Sequence, residues 1–189
     1  MSAGPRIAQP APPLSDDLIR LEPLAQRHAL PLLELIKDDE DVPRFTRIPD
    51  SPDEEFVRGW IRRYEHGWDD GTCAAFAIVS DADEVLGFAG LVYANLDAGE
   101  AEIGYVVGRR ARGRGVATRS LDLLSRWSFD ELGLARLELM IQPENTGSRR
   151  VAERGGYRLE GTLRSKHFKD GRRADFGLWS LLRDDLRLA

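Results

Sequence analysis

Between Ala101 and Leu132 the sequence changes its periodicity twice, and this limits what the chain can fold into. Ala101-Glu102-Ile103-Gly104-Tyr105-Val106-Val107 is rich in β-branched and aromatic residues and too short for a typical helix. It predicts a strand. Gly108 to Gly115 then holds four arginines (Arg109, Arg110, Arg112, Arg114) and three glycines. From Val116 onward Ala117, Leu121, Leu124, Trp127 and Leu132 recur at helical spacing, which predicts an amphipathic helix with a core-facing stripe. A strand, a glycine loop and a helix start together make a place for phosphate. The first helical turn has unpaired backbone N–H groups and partial positive charge, and glycines let an anion approach them.

Spacing separates the loops that work this way. A P-loop needs a Gly-Lys-Ser/Thr ending, but Gly115 is followed by Val116, so the lysine for the outer phosphates is absent. A dinucleotide fingerprint needs Gly-x-Gly-x-x-Gly. Gly113-x-Gly115-x-x-Thr118 supplies two of its glycines, and hairpins rather than a βαβ opening precede it. The third pattern, Gln/Arg-x-x-Gly-x-Gly/Ala, is matched at every fixed position by Arg110-Ala111-Arg112-Gly113-Arg114-Gly115.

That stretch resembles the acyl-CoA loop of the GNAT superfamily of N-acetyltransferases. The flanking Glu102-Ile103-Gly104-Tyr105 and Gly115-Val116-Ala117-Thr118 resemble the RimJ/RimL-type branch, which includes the ribosomal-protein N-terminal acetyltransferases. A second landmark follows. Asn145-x-x-Ser148, then Glu153-x-Gly155-Gly156-Tyr157, resembles the family's Asn-x-x-Ser and glycine-aromatic helix stop. The resemblance spans about Leu18 to Leu182, with specific motifs only in Glu102–Thr118 and Asn145–Tyr157. It implies a GNAT acyl-CoA N-acyltransferase fold of the α/β (α+β) class. A mixed, mostly antiparallel, twisted sheet should carry helices on both faces in a single domain over residues 16–189.

Composition narrows the function classes. With 189 residues and 42% hydrophobic content the chain can bury one real core. Its net charge of −5 disfavours a bulk nucleic-acid or membrane-surface role. One cysteine, Cys73, excludes an internal disulfide and a cysteine-cluster metal site, and suits a reducing cytoplasm. His28, His66 and His167 show no metal-ligand spacing, so no metal is expected. No run approaches the ~20 apolar residues of a membrane span, and no signal-peptide core opens the chain.

In chain order, residues 1–15 with four prolines predict a flexible tail. Leu18–Leu21 predicts a strand and Ala25–Lys37 a helix with Pro31 near its start. Asp38-Asp39-Glu40-Asp41 reads as a solvated helix end, with attraction of a cationic substrate as the alternative. Ser51-Pro52-Asp53-Glu54 predicts a helix start with Ser51 as N-cap. Cys73–Val79 and Val85–Tyr93 predict a hairpin, and Arg136–Ile141 a strand. Asn145 caps a helix ended by Gly155-Gly156 in left-handed conformations, and Tyr157–Leu182 predicts a hairpin turned at Asp170-Gly171.

The resemblance implies transfer of acetyl from acetyl-CoA, as co-substrate, directly to a primary amine. Arg112, Gly113, Arg114, Gly115, Val116, Ala117 and Thr118 would hold the diphosphate. Tyr105, Val106 and Val107 would pair with the pantetheine arm where the central strand splays from Arg136–Ile141. Glu102 is the candidate base, ahead of Glu100, with a strand glutamate pairing to arginine as the rival reading. Ser148 is the candidate partner of the departing thiolate, and Asn145 either caps the helix or touches the CoA arm. Tyr157 reads as a core anchor more than a proton donor.

The leading acceptor is a protein N-terminal α-amine, with a small-molecule amine or antibiotic, or a lysine side chain, as alternatives. A homodimer is admitted; no membrane and no direct nucleic-acid partner is expected. Two other classes stay open at this point: a non-catalytic acyl-CoA binder, and a ribosome- or RNA-docking protein using the arginines.

Overall fold

Period-two stretches joined by tight turns build one eight-stranded sheet, and the periodic stretches cover it with helices. The computed structural model describes residues 6–188. Its strands are β1 (Leu14–Ser15), β2 (Ile19–Pro23), β3 (Ala74–Ser80), β4 (Val85–Asn95), β5 (Glu100–Val107), β6 (Arg136–Ile141), β7 (Arg158–Lys169) and β8 (Arg172–Leu182). They lie in the order β1-β2-β3-β4-β5-β6-β8-β7, and only β5 and β6 run parallel. The helices are α1 (Ala29–Lys37), α2 (Asp41–Phe45), α3 (Glu54–Asp70), α4 (Val116–Asp130) and α5 (Thr146–Arg154).

Alternation along the strands feeds two cores. On one face Phe76, Leu91, Ile103 and Leu139 pack beneath α4 and α5 through Leu121, Leu124, Trp127 and Ala152. On the other, Ala75, Ala77, Val79 and Phe88 pack beneath α1 and α3 through Leu32, Ile36, Val57 and Ile61. The expected mixed, mostly antiparallel sheet with helices on both faces is the one observed.

Four local expectations are corrected. The cap of α3 is Asp53, not Ser51: its carboxylate accepts from Phe56 N at 2.8 Å and the helix begins at Glu54. Of the two glycines after α5, only Gly156 is left-handed (φ 80°). Gly155 is not, and a Cβ there would stand 3.0 Å from Leu121 Cδ2, a tight contact that this side chain would have to relieve by a small shift. The expected tail is packed from residue 6 onward: Ile7 is buried, its N–H donates to Trp68 O at 3.0 Å, and Leu14–Ser15 pairs with β2. Residues 1–5 of that stretch lie outside the described residues. The acidic run is not a plain solvated end, because Asp39 is buried and α2 starts within the run.

The feature that positions the site is where β5 and β6 part. Their ladder holds only Glu100↔Arg136, Ala101↔Leu137 and Glu102↔Glu138. Each strand follows its antiparallel neighbour instead, β5 along β4 and β6 along β8. A register shift in β4 between Leu91 and Tyr93 lies opposite Ile103 and Glu102, and such a bulge bends and twists its strand locally. The two parallel strands therefore diverge from Glu102 onward.

Candidate active site

Divergence leaves one side of β5 without a ladder partner beyond Glu102. The Gly99 carbonyl accepts from Arg136 N at 3.1 Å, toward β6. Main-chain direction alternates along a strand, so the polar groups of Ile103, Tyr105 and Val107 turn the same way, into the opening. Those of Val106 turn toward β4, where its carbonyl crowds the position a Gly87 Cβ would take. Of the three residues expected to pair with an extended amide ligand, Tyr105 and Val107 thus offer main-chain groups, and the Val107 carbonyl is engaged by Arg112 Nε at 3.1 Å.

The loop that follows is built for an anion. Gly113 (φ 74°) and Gly115 (φ 81°) are both left-handed, and Cβ atoms there would meet nothing closer than Arg119 Nε at 3.8 Å. Conformation, not crowding, requires these glycines. Gly115 caps α4 without a side-chain acceptor, and the first turn contains no acidic residue. Among the described residues, the amides from Gly113 to Thr118 have no hydrogen-bond partner. Unpaired N–H groups at the positive end of a helix, reached over exposed glycines, fit a diphosphate.

The arginines divide into separate tasks. Arg112 pairs with the fully buried carboxylate of Asp39 and, at 3.3 Å, with Asp41. Arg109 reaches Asp39 at 3.5 Å and Arg110 reaches Asp38 at 3.9 Å. The acidic run after α1 therefore anchors the loop. Arg114 is the loop arginine without a carboxylate partner among the described residues, leaving its charge available to a ligand.

Glu102 is the last residue of β5 paired with β6, so its half-buried carboxylate sits where the opening begins. It points to the α1–α3 side, close enough to influence the Tyr64 hydroxyl. Among the described residues it forms no hydrogen bond or ion pair. Burial pushes its carboxyl above the ordinary carboxylate range; Arg47 and Lys166 oppose that rise and Glu138 adds to it. A carboxylate that is partly desolvated, unpaired and beside a cleft has the attributes of a base.

On the opposite side, the Tyr105 hydroxyl donates to the Ser148 carbonyl at 3.3 Å and ties β5 to the start of α5, the helix that follows β6. Burial pushes that hydroxyl up to about 12. Asn145 caps α5, its Oδ1 accepting from Ser148 N at 3.0 Å, so Asn145 Oδ1 is engaged in the helix start. The Ser148 hydroxyl forms no hydrogen bond among the described residues. Tyr157 is buried, with its hydroxyl 3.0 Å from Ser125 Oγ, which places it in the core as expected.

Three residues near the site carry no sequence motif: Arg47, Lys166 and His167. The β7–β8 register slips between Leu163 and His167, with Ser165 left-handed (φ 57°). Asp175 accepts from Ser165 N at 2.7 Å and Arg173 donates to Ser165 O at 2.9 Å, which pins the bulge. The bulge lets Lys166 act on Glu102 and buries His167 against Phe176, ring centroids 5.2 Å apart. His167 lines a cavity of about 870 Å³ between α2 and the hairpin end, and Arg47 acts on both Glu102 and His167. The one legible signal is the lapse of apolar residues between Leu163 and Phe168.

Comparison with known proteins gives the family and the fold. The family described as Acetyltransferase (GNAT) domain matches residues 19–158. A Bacillus licheniformis protein named uncharacterized N-acetyltransferase p20 is 32% identical over 146 residues, covering 77% of this chain and 82% of its own length. The ribosomal-protein-serine acetyltransferase of Escherichia coli K12 is 24% identical, covering 88% and 93%. A solved structure of RimL, described as a ribosomal L7/L12 alpha-N-protein acetyltransferase in complex with coenzyme A, superposes with a TM-score of 0.82 at 19% identity, covering 92% and 98%. No described helix is long and apolar enough to cross a membrane. The chain belongs to the GNAT acetyltransferases, the acetyl-CoA-dependent N-acetyltransferases.

Proposed function

We propose that the acceptor is a protein N-terminal α-amine and that Glu102 is the base. The observation that carries this is the half-buried Glu102, unpaired among the described residues, at the point where β5 and β6 part. The relatives described as ribosomal-protein acetyltransferases support the acceptor class.

The amides from Gly113 to Thr118 hold the diphosphate, with Arg114 adding charge. Arg112 holds the loop in shape through Asp39. The pantetheine arm lies along β5 and pairs with the main chain of Tyr105 and Val107, as an added strand would. Glu102 takes a proton from the acceptor ammonium, directly or through water, and the neutral amine attacks the thioester carbon. A β5 N–H receives the developing oxyanion. The C–S bond then breaks, the extra proton on the attacking nitrogen passes directly or through water to the departing sulfur to give the free thiol, and the Ser148 hydroxyl, at the start of α5, hydrogen-bonds that sulfur as it leaves. Cys73 is buried and far in sequence from both motifs, which favours direct transfer over a thioester intermediate on the enzyme.

The test is release of free thiol from acetyl-CoA across a panel of peptides with free N-termini, N-blocked lysine peptides and small amines. Turnover confined to free N-termini is expected. Turnover confined to small amines or to lysine would reassign the acceptor.

A further inference from the structure

The cavity beside His167 has features that transfer to a bare amine does not use. It is a trough of about 870 Å³, continuous through Arg44, Gln142 and Arg173 with a second of about 570 Å³. A groove of this extent suits an extended chain rather than a lone amine. His167 is only 7% exposed, and its Nε2 is buried with no hydrogen-bond partner among the described residues. Buried polar atoms are seldom left unpaired, and a neutral imidazole can donate from one ring nitrogen.

Charge in the first trough is arranged unevenly. Its Asp39 is taken by Arg109 and Arg112, and its Asp50 and Asp170 both face Lys169. Lys37, Arg44 and Arg172 have no carboxylate partner among the described residues, and Arg173 bonds to the Ser165 carbonyl and lies over the Phe168 ring. Opposite them, among the described residues, only the Glu40 carboxylate is left unpaired in that trough. The second trough adds the Glu144 and Asp175 carboxylates, but the first, where the peptide's side chain is placed, is lined by five basic against four acidic side chains. Lys166 and Arg47 extend the basic lining toward Glu102.

We propose that this trough recognises an acidic side chain in the acceptor peptide, among the residues that follow its free N-terminus. The inference rests on the acetyl-transfer reading and adds a preference to it. The peptide's carboxylate would lie between Arg44 and Arg172, beside His167, while its amine reaches Glu102. A pair of exposed arginines facing one carboxylate supplies a preference of about three- to tenfold.

The experiment compares two peptides with free N-termini that differ only in Asp or Asn at the second to fourth positions. Wild type and the double variant Arg44→Glu/Arg172→Glu are each assayed for thiol release. Both positions are exposed, and the ratio of kcat/KM between peptides is read within each protein, so a general loss of activity does not enter it. For wild type the Asp peptide should lead by about three- to tenfold, chiefly through KM, and the lead should shrink as salt is raised. In the double variant the ratio should fall to one or invert. Equal kcat/KM in wild type, or a lead that survives charge reversal, overturns the proposal. So does turnover of small amines with neither peptide accepted, an outcome that leaves acetyl transfer intact. Absence of thiol release with every acceptor would instead overturn the acetyl-transfer reading beneath it.

Discussion

Asp39 and Arg112, 73 residues apart, form an ion pair in which the carboxylate is wholly shielded from water. Asp39 Oδ1 also accepts from Asp41 N at 3.1 Å, and Arg109 lies 3.5 Å away. One buried carboxylate thus ties the end of α1 to the loop proposed to hold the diphosphate. Because Arg112 is 41% exposed, replacing its partner costs less than breaking a fully buried pair.

Asp39→Asn should lower stability by about 2 kcal/mol, which for a domain of this size is a fall in Tm of roughly 4–8 °C. Affinity for coenzyme A should fall with it, since the loop loses its anchor. Thermal unfolding and calorimetry on the same preparations check both. A Tm unchanged from wild type would show that the pair contributes nothing net.

Glu102→Gln separates chemistry from stability. Removing a general base lowers kcat by ~10²–10⁴-fold. In the wild-type protein, loss of kcat/KM on acidification should be centred above the ordinary glutamate value of 4.5, because burial raises this carboxyl. The stability sign is opposite to that of a paired carboxylate. A group whose pKa is higher folded than unfolded binds more protons when folded. Its contribution is therefore most favourable below the unfolded value and is lost as pH rises through the folded one. Above that window Glu102→Gln should leave Tm unchanged or raised, and a lower Tm there would mean that Glu102 serves structure.

Gly115→Ala tests the loop conformation with a built-in control. At φ 81° an L side chain costs about 1–2 kcal/mol, although no atom blocks the Cβ closer than 3.8 Å. Relaxation of that strain would turn the α4 amides aside and weaken coenzyme A binding by about tenfold. Gly133 is also left-handed (φ 69°) and open, but lies after α4, away from the loop. Gly133→Ala should cost similar stability and leave coenzyme A affinity alone. Equal affinity losses in both variants would sever the link between the loop and the ligand.

Tyr105→Phe removes the 3.3 Å bond to the Ser148 carbonyl that ties β5 to the start of α5. The loss should be about 1 kcal/mol, seen as a 2–4 °C drop in Tm. KM for acetyl-CoA should rise while kcat changes little, because this hydroxyl is proposed to shape the opening rather than move a proton. A fall in kcat at constant KM would assign it chemistry instead.

Much of this was legible in the residues. Arg136–Ile141 alternates so regularly that the observed strand has the same ends, and the Gly113 and Gly115 spacing marked the loop before α4. Such signals are local: period, cap and turn. What escaped them depends on pairing across long separations. Asp39 reads as one of four successive acids until the fold carries Arg112 to it. The hairpin reads as regular because nothing in Arg164-Ser165-Lys166-His167 announces a left-handed serine pinned by Asp175. Arg47 is an isolated loop arginine in sequence and acquires its place only when β7 bends toward α2. At the start of α3, Ser51 and Asp53 are both good caps, and Asp53 is the one adjacent to Glu54, where the helix begins.

The central claim is that backbone amides from Gly113 to Thr118 grip a diphosphate. Calorimetric titration with acetyl-CoA, set against acetyl-pantetheine, which keeps the thioester arm and lacks the diphosphate, addresses it directly. Acetyl-CoA should bind far more tightly, and Gly115→Ala should cut that advantage by about tenfold while leaving acetyl-pantetheine unaffected. Equal affinity for the two ligands would contradict the account.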